Sequence, residues 1–175
     1  IMGKGWSINN NFGENKKIKE NYIFILSFIL PMVIMFVVFT ALGVGFIGEK
    51  TIVSSDMYTQ YVAYFGKFKD ILSGDGSIFY SFNKSIGGNN IGLFAYYLAS
   101  PLNLLLILFP KSAIGEFIFI IYLIKIGLAS LCFSLYISKV YKKKDLFVVI
   151  FSLCYALMSY NICFQMNIMW MDGMM

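Results

Sequence analysis

Two acids and one lysine are the residues in this sequence best placed to support chemistry: Asp56, Asp172 and Lys125. A carboxylate can act as a general base toward a hydroxyl, and a second carboxylate can orient that hydroxyl or bind a divalent cation. Each acid also has an ordinary structural explanation. Asp56 follows two serines at the start of a helical pattern, which favours a helix N-cap, and Asp172 fits a cap or an interfacial turn. Both explanations stay open.

Lys125 interrupts an otherwise uncharged apolar stretch. An ionisable residue inside a membrane span is costly and indicates function, so we expect its partner to be a lipid phosphate or one of the two acids. Snorkelling of the ammonium group to the membrane surface is the alternative. The pair Gly87-Gly88 allows close backbone approach and so a phosphate cradle, although an ordinary turn is the simpler explanation.

Composition points to a membrane protein. The chain is 59% hydrophobic and 13% charged, whereas a soluble domain is about half apolar and about a quarter charged. All 14 basic residues are lysine and there is no histidine, which excludes a histidine-based metal site or triad within these residues. The lysines cluster beside apolar stretches, as topology signals do, so the net charge of +5 does not indicate a nucleic-acid partner.

Three apolar stretches predict membrane spans. The first, Tyr22–Phe46, carries no charge and exceeds the roughly 20 residues that cross a bilayer. It is also too long for a signal peptide. The second and third spans are expected over 117–138 and 146–164. The polar residues 1–20 predict a flexible cytoplasmic tail.

Lysine asymmetry predicts the orientation of the spans. The tail and the short segment 139–145, which holds four lysines, should both face the cytoplasm. The long segment 47–116 and the residues after Phe164 should then face outward. This orientation would put Asp56 and Asp172 on the same, outer side of the membrane.

The long outer segment contains two predicted helices. Residues 57–73 carry apolar side chains at spacings of three and four, which predicts an amphipathic helix lying in the lipid headgroups and ending at Gly74. Ser100-Pro101 predicts a second helix start, with Ser100 as its cap. The following apolar stretch, Leu102–Phe109, reaches only about 13 Å and is expected to be re-entrant or interfacial. The apolar face of the first helix consists of Tyr58, Tyr61, Phe65, Phe68 and Leu72.

A series of short motifs occurs in order between the apolar stretches. They are Ser55-Asp56, Gln60-Tyr61, Tyr80-Ser81-Phe82, Gly87-Gly88, the run from Tyr96 to Pro101, and Trp170-Met171-Asp172-Gly173. This order resembles the YfhO family of bacterial membrane proteins, which is itself similar to the GT-C class of polytopic glycosyltransferases. The resemblance covers about residues 20–175 and implies the N-terminal part of a longer chain. It implies an all-α membrane fold with interfacial and re-entrant helices in a long first outer loop.

The resemblance also implies an activity. Enzymes of the GT-C class transfer a sugar from a polyprenyl-phosphate carrier, here to an envelope acceptor such as a teichoic acid on the outer face of the bacterial cell membrane. Asp56 matches the acid usually taken as catalytic, which acts as base toward the acceptor hydroxyl or positions it, and Asp172 matches the acid of a second outer loop. Some members of this class use a divalent cation, which the sequence leaves open. Lys125, Gln60, Tyr61, Gly87 and Gly88 are the candidate substrate-binding residues.

Two other classes of function remain as alternatives. In a transporter or flippase component, Lys125 would line a substrate path. In a non-enzymatic envelope assembly protein, the aromatic loop would only hold lipid. An enzyme requires its acids at the interface, whereas a transporter requires polar groups near the middle of the membrane. Acids expected at the interface, with one lysine inside, favour the enzyme.

Overall fold

The computed structural model describes residues 6–46, 48–55, 57–82 and 86–175, and for residues 6–20 it describes the backbone alone. Most of this part is helical, with almost no strand. The α-helices are α1 (Trp6–Ala41), α2 (Val62–Leu72), α3 (Ile91–Leu93), α4 (Ile114–Tyr141), α5 (Leu146–Ala156) and α6 (Ser159–Cys163). Met57–Tyr61 and Phe94–Leu98 are π-helical, and Pro101–Leu108, Lys111–Ala113 and Trp170–Met174 are 3-10 helices. A short hairpin pairs β1 (Tyr80–Ser81) with β2 (Gly88–Asn89).

Helix α1 contains the first candidate membrane span, Asn21–Ala41. The helix begins at Trp6, within the polar residues 1–20 for which we expected a cytoplasmic tail. Adding a residue to an existing helix costs little, which allows a polar segment to extend an apolar helix. The helix ends before Phe46 because the chain turns at Gly43 and Gly45, which have φ values of 70° and 99°.

Helix α4 is the central element and packs against both α1 and α5. It covers the second predicted span, 117–138, extends beyond it at both ends, and lies within a candidate membrane segment of Lys111–Tyr141. A close contact with α1 depends on Gly127. A Cβ atom there would lie 2.8 Å from Met32 Cγ and 2.9 Å from the Phe28 carbonyl oxygen. A small residue therefore lets the two helices approach, as is common between membrane helices.

The third expected span, 146–164, is divided into two helices. Helix α5 has 11 residues and reaches only about 16 Å, which is too short to cross a bilayer. Met158 is in an extended conformation and separates α5 from α6. The Asn161 amide then donates to the carbonyl oxygens of Tyr155 and Ala156, at 3.3 and 3.0 Å. These bonds satisfy carbonyl groups in the last turn of α5 that have no partner within the helix. The chain can therefore leave the helix there and turn back before the span is complete.

Three residues on the aromatic face of the 57–72 helix are buried in protein, where we expected the face to lie in lipid headgroups, while Tyr58 is exposed. Tyr61, Phe65 and Phe68 are almost completely buried. The ring centroids of Phe65 and Phe117 are 5.2 Å apart, and those of Phe68 and Phe94 are 5.8 Å apart. The aromatic rings of other helices therefore cover these side chains, in place of the lipid headgroups that the sequence pattern predicted. The predicted stop is found, since the helix ends before Gly74, which has φ 88°.

The last part of the outer segment forms a bent helix pair. Ile91–Leu98 and Pro101–Leu108 meet at 88°, the geometry of a broken span or a re-entrant loop. Lys69 satisfies the far end of this pair, because its Nζ donates to the carbonyl oxygens of Leu106 and Ile107 at the end of the second helix. Among the described residues, two helices are long and apolar enough to cross a membrane, or three if the bent pair is one span. The chain is an all-α membrane protein.

Candidate active site

Asp172 is held by two other parts of the chain. Its Oδ2 atom accepts a hydrogen bond from the Lys125 ammonium at 2.7 Å, forming an ion pair. Its Oδ1 atom accepts one from the Ser100 hydroxyl at 2.9 Å. The Lys125 side chain is 1% exposed and that of Asp172 is 33% exposed. The carboxylate therefore has one buried cationic partner and one face open to solvent.

Lys125 lies near the middle of α4, about 16 Å along the helix from its first residue. Its ammonium also donates to the Ile168 carbonyl oxygen at 3.0 Å. Of the partners that the sequence allowed, this arrangement uses the acid. Asp172 reaches the lysine because the chain folds back after α5 and packs its last helical turn against α4. Asp172 thus lies beside the interior of this helix instead of beyond its outer end.

A cavity of about 560 Å³ opens next to Asp172. Two of the sequence motifs form its walls: the run from Tyr96 to Pro101 and the segment around Trp170. The Trp170 indole nitrogen lies 3.5 Å from the Tyr96 hydroxyl and donates to it, which links the two walls. Ser100 and Asp172 provide the polar part of the lining, and aromatic rings provide much of the remainder. A cavity with few polar groups among aromatic ones is typical of small-molecule sites.

Gln60 and Tyr61 lie behind the wall of this cavity. The Tyr97 hydroxyl donates to Gln60 Oε1 at 2.9 Å, and the Tyr61 hydroxyl donates to the Met169 sulfur at 2.8 Å. Tyr97 and Met169 both line the cavity, whereas Gln60 and Tyr61 do not. The geometry therefore gives these two candidate substrate-binding residues a supporting position, one layer away from the cavity.

Asp56 lies outside the described residues. It directly precedes Met57, which is completely buried, and the helical turn that follows carries Gln60 and Tyr61. The residues that follow Asp56 thus include Gln60 and Tyr61, which support the wall of the cavity from behind.

A family model described as "Bacterial membrane protein YfhO" matches residues 27–175, which is most of the chain. The chain belongs to the YfhO family. Searches of curated proteins and of solved structures found no match. The family match spans both motif segments that form the cavity around Asp172.

Gly87 and Gly88 do not line the Asp172 cavity of this YfhO-family protein. They belong to the β1–β2 hairpin, where Gly88 pairs with Ser81. Gly87 has φ 101°, and a Cβ atom there would collide with the Tyr80 hydroxyl. A tight turn with a close side-chain contact explains the glycine at 87.

Three of the residues around the cavity were not foreseen as site residues. We expected Ser100 to cap a helix, but its side chain makes no capping hydrogen bond and contacts Asp172 instead. We assigned Tyr96 and Tyr97 to an interfacial belt, because tyrosines near an apolar stretch look the same in either role.

Among the described residues, no group of three or more histidine, cysteine, aspartate or glutamate side chains could hold a metal ion. Asp172 is the single carboxylate lining the described part of this cavity.

Proposed function

We propose that this YfhO-family protein is an outer-face membrane glycosyltransferase, which transfers a sugar from a polyprenyl-phosphate carrier to an envelope polymer such as a teichoic acid. The observation that carries the proposal is the arrangement around Asp172. A partly exposed carboxylate, fixed by Lys125 and Ser100, opens onto a cavity with aromatic walls. Family membership supports a membrane protein, and the cavity supports a small-molecule ligand within it.

Asp172 is suited to orienting an acceptor hydroxyl. A carboxylate offers about four lone-pair positions, of which Lys125 and Ser100 occupy two. The remaining positions can accept a hydrogen bond from a hydroxyl in the cavity. Because the two protein contacts restrain the side chain, the acceptor would be held in one orientation, which lowers the barrier to a bimolecular reaction.

The transfer step requires a base, and we assign that role to Asp56. The acceptor oxygen forms a bond to the anomeric carbon of the sugar while the bond from that carbon to the carrier phosphate oxygen breaks. The hydroxyl proton passes to the Asp56 carboxylate, and the carrier leaves as a phosphate anion. Lys125 is a positioning residue in this scheme, because its buried ammonium holds Asp172 and does not face the cavity.

The aromatic walls are suited to a sugar ring. Tyr96 and Trp170 line the cavity, and aromatic rings of this kind, with apolar faces and polar edges, can pack against a sugar ring while its hydroxyls stay solvated. The outward orientation of this cavity, with residues 1–20 in the cytoplasm, is part of the proposal and is supported by the distribution of lysine.

The test is sugar transfer in membranes from cells that express the full-length gene. Farnesyl-phosphate-linked radiolabelled hexoses serve as donors, and incorporation into envelope polymer is counted. Asp56→Asn should abolish incorporation, and Asp172→Asn should lower it at least about a hundredfold, with both proteins still inserted in the membrane. The control is Asp75→Asn, which changes an acid in an exposed turn outside the cavity. Unchanged incorporation in Asp56→Asn would show that Asp56 is a helix cap and not a catalytic base.

A transporter of lipid-linked sugar is the second candidate, and one observation favours it. The Lys125–Asp172 pair lies beside the middle of α4, where a transport pathway would place polar groups. An assay in reconstituted vesicles distinguishes the two functions. A transporter would move a fluorescent farnesyl-phosphate sugar between leaflets without an acceptor, whereas a transferase would consume the donor only when an acceptor is present.

A further inference from the structure

A second cavity, of about 570 Å³, lies on another side of α2 and shares no lining residue with the Asp172 cavity. It opens between α2, the β1–β2 hairpin and the turn that precedes α4. Its polar lining residues are Tyr64, Lys67, Asp70, Ser81, Asn90 and Lys111. The glycosyltransferase mechanism uses none of them.

Asn90 supplies an unused donor in this cavity. Its side chain is 4% exposed, and its Nδ2 atom is buried with no hydrogen-bond partner. The residue is fixed by its backbone, because its N–H donates to the Phe79 carbonyl oxygen and its own carbonyl accepts from Phe94, both at 2.9 Å. Buried amide groups are nearly always hydrogen-bonded, so an unpartnered one in the lining of a cavity leaves a donor that a ligand or an ordered water can satisfy.

Two lysines supply positive charge around the same space. Lys67 is half-buried, and among the described residues it forms no ion pair or hydrogen bond. Lys111 forms an ion pair with Asp70. The lining thus carries two ammonium groups and one carboxylate, which leaves an excess of positive charge. An ammonium group is a compact donor that binds phosphate well, and an amide N–H complements it.

We propose that this cavity binds a phosphate group, with Lys67 Nζ and Asn90 Nδ2 as direct donors and Lys111 as a second cation. The group can belong to a phospholipid headgroup or to a free phosphate, since both present the same oxygens. The side chains supply the donors, whereas the nearby Gly88 only pairs with Ser81 at the edge of the cavity. This site does not depend on the proposed transferase activity.

The experiment measures binding to the purified chain in dodecyl maltoside by isothermal titration. The probes are inorganic phosphate and dioctanoyl phosphatidylglycerol, each at constant ionic strength because exposed charges are screened by salt. We expect one equivalent of probe to bind. Lys67→Gln and Asn90→Asp should each weaken binding by about tenfold or more, because the first removes a positive charge and the second replaces an N–H donor by a carboxylate that repels the phosphate. The matched control is Lys50→Gln, which changes an exposed lysine that lines neither cavity and should bind as the unaltered chain does.

The outcomes separate clearly. Binding of the lipid alone supports a headgroup site, and binding of both probes supports a site for the phosphate itself. The proposal is overturned if neither probe binds the unaltered chain, or if Lys67→Gln binds as tightly as the Lys50→Gln control. Lys67→Gln decides the matter even if Asn90→Asp fails to fold, because Lys67 forms no bond with the described protein that the substitution would break.

Discussion

The ammonium nitrogen of Lys125 lies 2.7 Å from a carboxylate oxygen of Asp172, although the two residues are 47 positions apart in the sequence. The contact joins the middle of the central helix α4 to the last helical turn of the chain. It is also asymmetric, since the lysine is 1% exposed and the acid is 33% exposed. The two partners should therefore respond differently to substitution.

We expect Asp172→Asn to destabilise the protein by about 3 kcal/mol or more, because it leaves a buried ammonium group without its counter-ion. Lys125→Met should cost less, about 1 to 2 kcal/mol, because the remaining carboxylate keeps Ser100 and water as partners. The measurement is thermal unfolding of each variant in detergent.

The double variant provides the control for this prediction. Lys125→Met combined with Asp172→Asn removes both charges and should be more stable than Asp172→Asn alone. Additive losses in the double variant would show that the two residues do not act as a pair.

Ser100 should act through Asp172 and not as a helix cap. Its hydroxyl donates to the carboxylate at 2.9 Å and makes no capping hydrogen bond. Ser100→Ala should therefore cost about 1 kcal/mol in the original protein and much less in an Asp172→Asn background. The measurement is the same unfolding assay. A cap would lose an equal amount in both backgrounds. Ser73→Ala, which removes an exposed bond to the Lys69 carbonyl, should behave identically in the two.

Local features of the fold follow from the sequence. The spacing of aromatic residues predicts a helix over residues 57–73, which the structure ends at Leu72, and Gly74 predicts that end. Ser100-Pro101 predicts a helix start, although the helix is of the tighter 3-10 type. The apolar stretches predict α1 and α4, because a long uncharged segment has few stable alternatives to a membrane helix.

What the sequence does not provide is the partner of each surface. Spacing shows that Phe65 belongs to an apolar face but does not show whether lipid or protein covers that face. The break after α5 depends on the Asn161 amide binding carbonyl oxygens that a longer helix would have used. The pairing of Asp172 with Lys125 and Ser100 then depends on that break. A long-range contact of this kind leaves no signal in local periodicity.

Phe65 and Tyr58 provide a direct test of where the aromatic face lies. Phe65 is completely buried against Phe117, whereas Tyr58, seven residues earlier, is 70% exposed. Phe65→Ala should destabilise the protein by about 3 to 5 kcal/mol through the loss of buried volume. Tyr58→Ala should change stability by less than about 0.5 kcal/mol. The measurement is unfolding in detergent micelles. Equal small effects would instead indicate that Phe65 faces lipid.

The orientation of the chain can be tested with single cysteines in a background that lacks Cys132, Cys154 and Cys163. Ile86 is 98% exposed in the hairpin of the long outer segment, and Lys143 is exposed between α4 and α5. Because positively charged short loops stay in the cytoplasm, Ile86→Cys should react with a membrane-impermeant maleimide in intact cells. Lys143→Cys should react only after permeabilisation, and it serves as the control for reagent entry. The reverse pattern would place the Asp172 cavity on the cytoplasmic side and would exclude chemistry at the outer face.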